Sequence, residues 1–411
     1  MLFENLKKEI EQRNQNLKRR TEIIGTEIKK RRIERNITQD KITQGKISVS
    51  YLSKIENGKI EPNEKYLKEI LEEMQIDKNI SNYFDIYLDL TNNMIKYFYL
   101  KDTKKVKDIY NKTLLYEFDM ILIKFIYFIY MNDLDKALDF YEKLYQIRKS
   151  LSDYELLTAL IFMCEYEYKI FNYDGSNKLR LIINDLTINN KYLKYLFDFI
   201  TFKLSLIFKD YLNSNKNFIK IIDNSYHYCH FDLITEANNF YNLEILKNNN
   251  NIKNSINYFE EVVEKNNDIY FKYKFIMKDY IYIINNQKYC NTINKKMILL
   301  KSYFFTNNIE KIKEIFNMQK EYLYINSNAV DIYYLKYFEL CITKNIFEMN
   351  KFLKKEAIPY FIENYNIDEL NNFYFFLIEN NYNDSKYKNC KLYEEKRKSI
   401  IEKIKYSYEN Y

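Results

Sequence analysis

Turn-forming residues are scarce in this 411-residue chain, which has four glycines, two prolines and no tryptophan. Sheets and loop-rich folds need many tight turns, and tight turns draw on Gly and Pro. The shortage therefore argues for helices joined by short polar breaks. Five cysteines (Cys164, Cys229, Cys290, Cys341 and Cys390) lie far apart with no CxxC pair. That spacing suggests neither a disulfide framework nor a zinc site. Only two histidines occur, His227 and His230. Three apart on a helix they would share a face, but no third ligand is nearby, so no metal is expected. Long uncharged apolar runs are also missing. The most apolar stretches, 114–131 and 192–208, carry Glu117, Asp119, Lys124, Asp198 and Lys203, and read as buried helices rather than membrane spans. No Gly-rich phosphate loop, nucleophile elbow or Cys–His motif appears, and paired carboxylates such as Glu260-Glu261 read as solvent-facing. Neither an enzyme nor a cofactor is expected.

Charge is nearly balanced, with 64 basic and 57 acidic residues and a net +7. That excess is too small to imply nucleic-acid binding by itself. Lys, Asn, Ile, Tyr and Phe dominate, and an AT-rich coding sequence produces the same bias, so the 43 tyrosines are not a functional signal on their own. Met1-Leu2-Phe3-Glu4 opens without a signal-peptide pattern, and a reducing cytoplasm is the expected location. The length allows roughly two or three domains.

The composition changes along the chain. Residues 1–20 place Leu2, Phe3, Leu6 and Ile10 at helical spacing before Lys18-Arg19-Arg20, and read as a short N-terminal helical extension. Residues 21–76 hold Gly25, Gly45, Gly58 and Pro62, three of the four glycines and one of the two prolines, which implies several short helices with tight turns. From 81 to 411 the texture is uniform. Helical segments alternate with Asn/Asp breaks, and several second helices open alike, at Asp133, Asn215, Asn251, Asn308 and Asn345. An Asx residue caps each start. From 215 to 251 and from 308 to 345 the steps are 36 and 37 residues. A period near ~34 residues built from helix pairs is that of tetratricopeptide-like repeats. The expected fold is all-α, with a helix-turn-helix domain at 21–76 and a tetratricopeptide-like right-handed superhelix over 81–411.

Within 22–74, helix one spans Glu22 to about Arg35 with Ile24, Ile28 and Ile33 as its apolar stripe. Thr38 caps helix two, Gln39–Thr43. Gln44-Gly45-Lys46 is the turn, where glycine takes a positive φ readily. Ser48 caps helix three, about Val49 to Glu56, and Asn57-Gly58 ends it with a left-handed residue. Pro62 leads into a fourth helix carrying Tyr66, Leu67, Ile70, Leu71 and Met74. At 100° per residue, Leu52 and Ile55 face the other helices, and Val49, Ser50, Ser53 and Lys54 face away. A short helix with small polar outward residues fits a major groove about 12 Å wide.

The run Thr38-Gln39, then Ile47-Ser48-Val49-Ser50-Tyr51-Leu52-Ser53-Lys54-Ile55-Glu56-Asn57-Gly58-Lys59-Ile60-Glu61-Pro62, resembles the phage-repressor (Xre-type) helix-turn-helix family. The resemblance implies that Gln39, Asn57 and Lys59 hold the DNA backbone. Val49, Ser50, Tyr51, Ser53 and Lys54 would occupy the base-facing surface, with Lys46 beside it on the turn. It also implies that Arg32 and Glu56 form a partly buried, structural ion pair. Val49 departs from the Gln often found there; it can touch a thymine methyl but cannot hydrogen-bond a base edge. The connection between helices two and three is one residue shorter than in the phage repressors. This Gly-x-Ile-Ser form resembles the peptide-sensing regulators of Gram-positive bacteria called RRNPP. These join such a domain to a tetratricopeptide-like superhelix that binds a short secreted peptide. Residues 332–340 and Ala357-Ile-Pro-Tyr-Phe361 resemble the phage arbitrium receptors of that group.

The expected function is a DNA-binding regulator, homodimeric, switched by a signalling peptide lying along the first helices of the repeats. The alternative is a repeat-based interaction scaffold, or a repressor controlled by a protein partner. Expected peptide-lining residues are Asp198 and Lys203 on one helix, Asn238 and Asn242 on another, and Lys274 on a third. Asn side chains can both donate to and accept from an extended backbone.

Overall fold

The computed structural model describes residues 25, 28–29, 32–33, 37–43, 47–57, 59–60, 63–73, 80–115, 120–227, 230–248 and 253–409. Among these every regular element is helical, as the shortage of turn residues implies. No helix among them is long and apolar enough to cross a membrane. The expected extension at 1–20, the Gly45 turn with Lys46, and Gly58 and Pro62 lie outside the described residues. By contact the chain divides into two compact units, 1–166 with 176–197, and 167–175 with 198–411.

In the first unit, Gly25, Ile28, Lys29, Arg32 and Ile33 are helical. They precede α1 (Gln39–Thr43), α2 (Val49–Glu56) and α3 (Glu64–Glu73). Ile28, Ile42, Leu52, Ile55 and Ile70 form the small core of this segment. Ile33, expected in the apolar stripe, is exposed instead. Five positions from Ile28 is a rotation of about 140° on a helix, so the two cannot share a face; Arg32, four positions on, takes the inward place.

The repeats then follow as helix pairs. The first unit continues with α4 (Ile80–Tyr99), α5 (Thr103–Thr113), α6 (Ile121–Tyr130) and α7 (Leu134–Ile147). The unit boundary runs through α8 (Asp153–Lys169), α9 (Tyr173–Asn184) and α10 (Lys191–Ile207). The second unit contains α11 (Tyr211–His227), α12 (Phe231–Asn248), α13 (Lys253–Glu261), α14 (Asp268–Ile276), α15 (Tyr280–Asn285), α16 (Ile293–Phe305) and α17 (Ile309–Asn326). It ends with α18 (Ala329–Thr343), α19 (Ile346–Phe352), α20 (Ile358–Glu363), α21 (Ile367–Asn383) and α22 (Tyr387–Glu409). A π-helical turn, Leu353–Ala357, joins α19 to α20. Pro359 lacks the N–H that would continue the regular ladder there.

One turn recurs between the helices. Lys101, Asn132, Phe171, Lys209, Lys278, Asn307, Lys344 and Tyr365 all have φ between 52° and 64°. Each is followed by Asp or Asn. In all but the Lys344 turn, that Asx N–H donates to the carbonyl five residues back, as Asp102 does to Tyr97 and Asp279 to Lys274. Its side chain then accepts from the N–H three residues on, at 3.0–3.4 Å. One residue thus closes the preceding helix in a Schellman motif and caps the next. Asp133, Asn308 and Asn345 cap where expected. Asn215 does not, because Asp210 starts α11 earlier, and the Asn215 Oδ1 accepts from the Tyr241 hydroxyl instead. Asn251 lies outside the described residues.

The helix α11 stops at His227, so His230 does not continue it and the two histidines share no helical face. Cys164, Cys290, Cys341 and Cys390 are free thiols. Burial pushes Cys290 up to about 11 and Cys341 up to about 12, which leaves both protonated and inert.

Candidate functional site

The first candidate surface is the outer face of α2. Ser48 caps it, its Oγ accepting from the Tyr51 N–H at 3.1 Å. Thr38 caps α1 in the same way through the Lys41 N–H, at 3.3 Å. Leu52 and Ile55 are fully buried beneath α2, while Val49, Ser50 and Lys54 are exposed and Ser53 is half-buried. The burial pattern orients the helix and leaves a small, polar outward face.

Beneath that face sits an ion pair. Arg32 donates through Nε to Glu56 Oε1 at 2.6 Å and through Nη2 to Oε2 at 3.0 Å, and its Nη1 donates to the Ile37 carbonyl at 3.0 Å. Glu56 is only 1% exposed. The fork geometry satisfies both charges, so burial is tolerated. Gly25 lies against the end of α2, where a Cβ would fall 1.8 Å from the Ile55 carbonyl oxygen. Only glycine permits that approach.

Several expected DNA contacts are engaged within the domain. Gln39 Nε2 donates to Glu56 Oε2 at 2.7 Å, so the side chain braces the ion pair and keeps one N–H of its amide beyond that bond. Tyr51 is half-buried, packing against the core and edge-on against Tyr66 with ring centroids 5.5 Å apart. Asn57 Nδ2 donates to the Ser53 carbonyl at 2.7 Å, while Asn57 Oδ1 accepts from Lys29 Nζ at 3.2 Å. Asn57 is the C-cap of α2, with φ −99° and ψ 14°, and Gly58, the other half of the expected left-handed ending, lies outside the described residues. The Lys59 N–H donates to the Lys54 carbonyl at 2.8 Å and closes the helix end. The outward set is therefore Val49, Ser50, Ser53 and Lys54, with the exposed Lys59 beside it.

The second candidate surface belongs to the second unit. There the first helices of successive pairs pack on one another, α12 on α14, α14 on α16, and α16 on α18. Each of the first three carries one lysine on this row, Lys247, Lys272 and Lys301. Lys247 Nζ lies 2.6 Å from Glu244 and 3.5 Å from Asp368. Lys301 Nζ lies 2.8 Å from Asp331 and sits 3.9 Å over the Tyr334 ring. Burial opposes the charge on both lysines, but Glu244 and Asp368 hold Lys247 above the usual lysine range, and Asp331 and Glu369 do the same for Lys301. Glu369 accepts from the Tyr334 hydroxyl at 2.5 Å and from Asn372 Nδ2 at 3.1 Å. Lys272 differs. Burial lowers it below the usual range, with the charges of Lys247 and Lys301 adding to the effect against Asp268 and Asp331. It nevertheless keeps solvent contact.

The residues expected to line a peptide fall elsewhere. Lys274 is two positions from Lys272 and so about 200° round α14. It points to Glu260, whose carboxylate accepts from Lys274 Nζ at 2.8 Å and from the Tyr270 and Tyr273 hydroxyls at 2.8 and 2.9 Å. Glu260 is exposed, as expected, and is also the acceptor at the centre of this cluster. The amides of Asn238 and Asn242 donate to the carbonyls of Ile234 and Asn238 on their own helix, at 3.0 and 2.8 Å. Asp198 and Lys203 are buried, with Lys203 Nζ 4.2 Å over the Tyr168 ring. The lysine row left no sequence signal, because nothing in the periodicity separates a lysine on the inner row from one on a solvated face.

Residues 28–79 match the helix-turn-helix family HTH_3, so the segment carrying α1–α3 is a helix-turn-helix domain. No curated protein sequence matches the chain. Among solved structures it is similar to the apo form of the quorum sensor NprR from Bacillus thuringiensis, at 13% identity over 79% of this chain and 100% of that one, with a TM-score of 0.48. It is also similar to Bacillus thuringiensis PlcR in complex with the peptide PapR7 and DNA, at 18% identity over 66% of this chain and 100% of that one, with a TM-score of 0.33.

Proposed function

We propose that this chain is a cytoplasmic, homodimeric transcription regulator that binds operator DNA through α2 and is switched by a short peptide bound in its second unit. The observation that carries the DNA-binding half is the outward face of α2, polar and small, held over a sealed core inside a helix-turn-helix domain. Ser50 and Lys54 are its best-placed base-reading groups, and Val49 supports a methyl contact. Lys59 and the backbone at the start of α1 serve the phosphates. Lys46, on the turn, joins them by sequence position. Two copies would present two such helices to half-sites about 34–36 Å apart or multiples of that.

The peptide half is supported by the row of packed first helices with its buried ion pairs at Lys247 and Lys301. Stacked helix pairs offer an inner face on which an extended chain can find both polar partners and apolar walls. A ligand that prefers one geometry of the dimer would move the equilibrium between DNA-competent and incompetent states.

Selection from random double-stranded DNA by the full-length protein tests the DNA half. The expected result is enrichment of a defined motif, lost or relaxed in Lys54→Ala at an unchanged melting temperature. Retention of DNA with no enriched motif, or none at low salt, would contradict the reading.

A further inference from the structure

The row of first helices in the second unit closes on itself. α12 packs on α14, α14 on α16 and α16 on α18. α21 extends the row past α18, because Glu369 accepts from the Tyr334 hydroxyl and the Phe376 ring stacks on Tyr337 with centroids 4.9 Å apart. Packed helix axes lie about 8–10 Å from each other, so a straight row would hold α12 and α21 roughly 32–40 Å apart. Instead Lys247 Nζ, in the last turn of α12, lies 3.5 Å from the carboxylate of Asp368 in the first turn of α21. The row has to curl for that contact to exist. A second contact marks the same closure. Phe171, in a left-handed turn with φ 64°, packs against the core that α14 shares with the C-terminal helices, and Tyr173 beside it feels the charges of Lys247, Glu244, Asp368 and Glu369. The Phe171 contact is apolar and does not answer to charge. The ion pair does.

We infer that the Lys247–Asp368 pair is an ionic catch that holds the curl of this row and opens reversibly. Three features fit a catch rather than a permanent tie. Lys247 has a closer partner on its own helix, Glu244 at 2.6 Å, so release of Asp368 leaves the lysine paired. The Asp368 side chain is 59% exposed, so water takes over the carboxylate when it lets go. Each charge also sits at the helix end that favours it, a carboxylate in a first turn and a lysine in a last turn, whether or not the two touch. An exposed pair of this kind favours contact over separation by only about two- to fivefold. A less curled row is therefore within easy reach, and a ligand or partner that prefers one curl can select it.

Hydrogen exchange of the full-length protein, read by mass spectrometry, tests the catch with no ligand present, so its outcome is separate from that of the peptide reading. Asp368→Asn should speed exchange in the last turn of α12, and Lys247→Met in the first turn of α21, by about two- to fivefold each. Both are effects on the helix that was not altered, which a local loss of helix-end charge does not produce. Lys247→Glu alone adds a carboxylate beside Glu244 and Asp368 and should exceed either variant. Combined with Asp368→Lys it should return both turns to wild-type rates. Wild type in about 1 M salt, where the screening length falls to about 3 Å, should match Asp368→Asn, and this arm needs no variant to fold. Exchange altered only within the substituted helix, a charge swap that restores nothing, or a wild type indifferent to salt would overturn the catch.

Discussion

Arg32 and Glu56 belong to the architecture of the DNA-binding domain rather than to its chemistry. Arg32→Met leaves Glu56 buried with only Gln39 as donor. Breaking a buried pair from one side costs roughly 3–5 kcal/mol, a large share of what a small domain has. The expected outcome is loss of the domain's thermal transition and of DNA binding together. A variant that binds DNA normally would show the pair to be dispensable. Gly25→Ala acts at the same junction. The added methyl meets the Ile55 carbonyl, and relief requires the first helix to back away, at a cost of about 1–3 kcal/mol. The Glu260 cluster makes a pH prediction. Burial raises this carboxyl, but the Lys274, Tyr270 and Tyr273 hydrogen bonds outweigh it and hold the group below the usual carboxylate range. A depressed folded value means stability present above the ordinary glutamate range and lost as pH falls through the folded value. The melting temperature of the wild type should therefore drop more steeply in acid than that of Glu260→Gln.

The helix turns show what the sequence did and did not reveal. Asx caps at Asp133, Asn308 and Asn345 were legible, because a capping side chain followed by helical periodicity is a local signal. The limits of α1 and α2 were legible for the same reason, through Thr38 and Ser48. The residue before each repeat cap was not. Left-handed turns are normally read from Gly or Asn, and here Lys101, Lys209, Lys278, Phe171 and Tyr365 occupy them. A non-glycine residue in that region costs roughly 1–2 kcal/mol, partly offset by its stiffer unfolded chain. Lys101→Gly should accordingly stabilise the protein by up to about 1 kcal/mol. Asp102→Ala in the same turn removes the cap and should destabilise it by about 1 kcal/mol. Opposite signs from adjacent residues, read by thermal or urea unfolding, would establish the double use of this turn. Two changes of the same sign would contradict it.

At the scale of the whole chain, the outward face of α2 was legible because burial on a short amphipathic helix follows from its periodicity alone. The lysine row was not, because it arises when first helices of different pairs come together, and Lys272 and Lys274 look alike in sequence while occupying opposite sides of α14. The account joins these two surfaces into one device: a DNA-binding domain whose affinity depends on what occupies the inner row. The most direct measurement is the affinity of the full-length protein for its selected DNA site, by fluorescence anisotropy at fixed salt, with and without a saturating library-derived peptide. The account predicts a change of about 5- to 150-fold. An unchanged DNA affinity with the peptide demonstrably bound would contradict it.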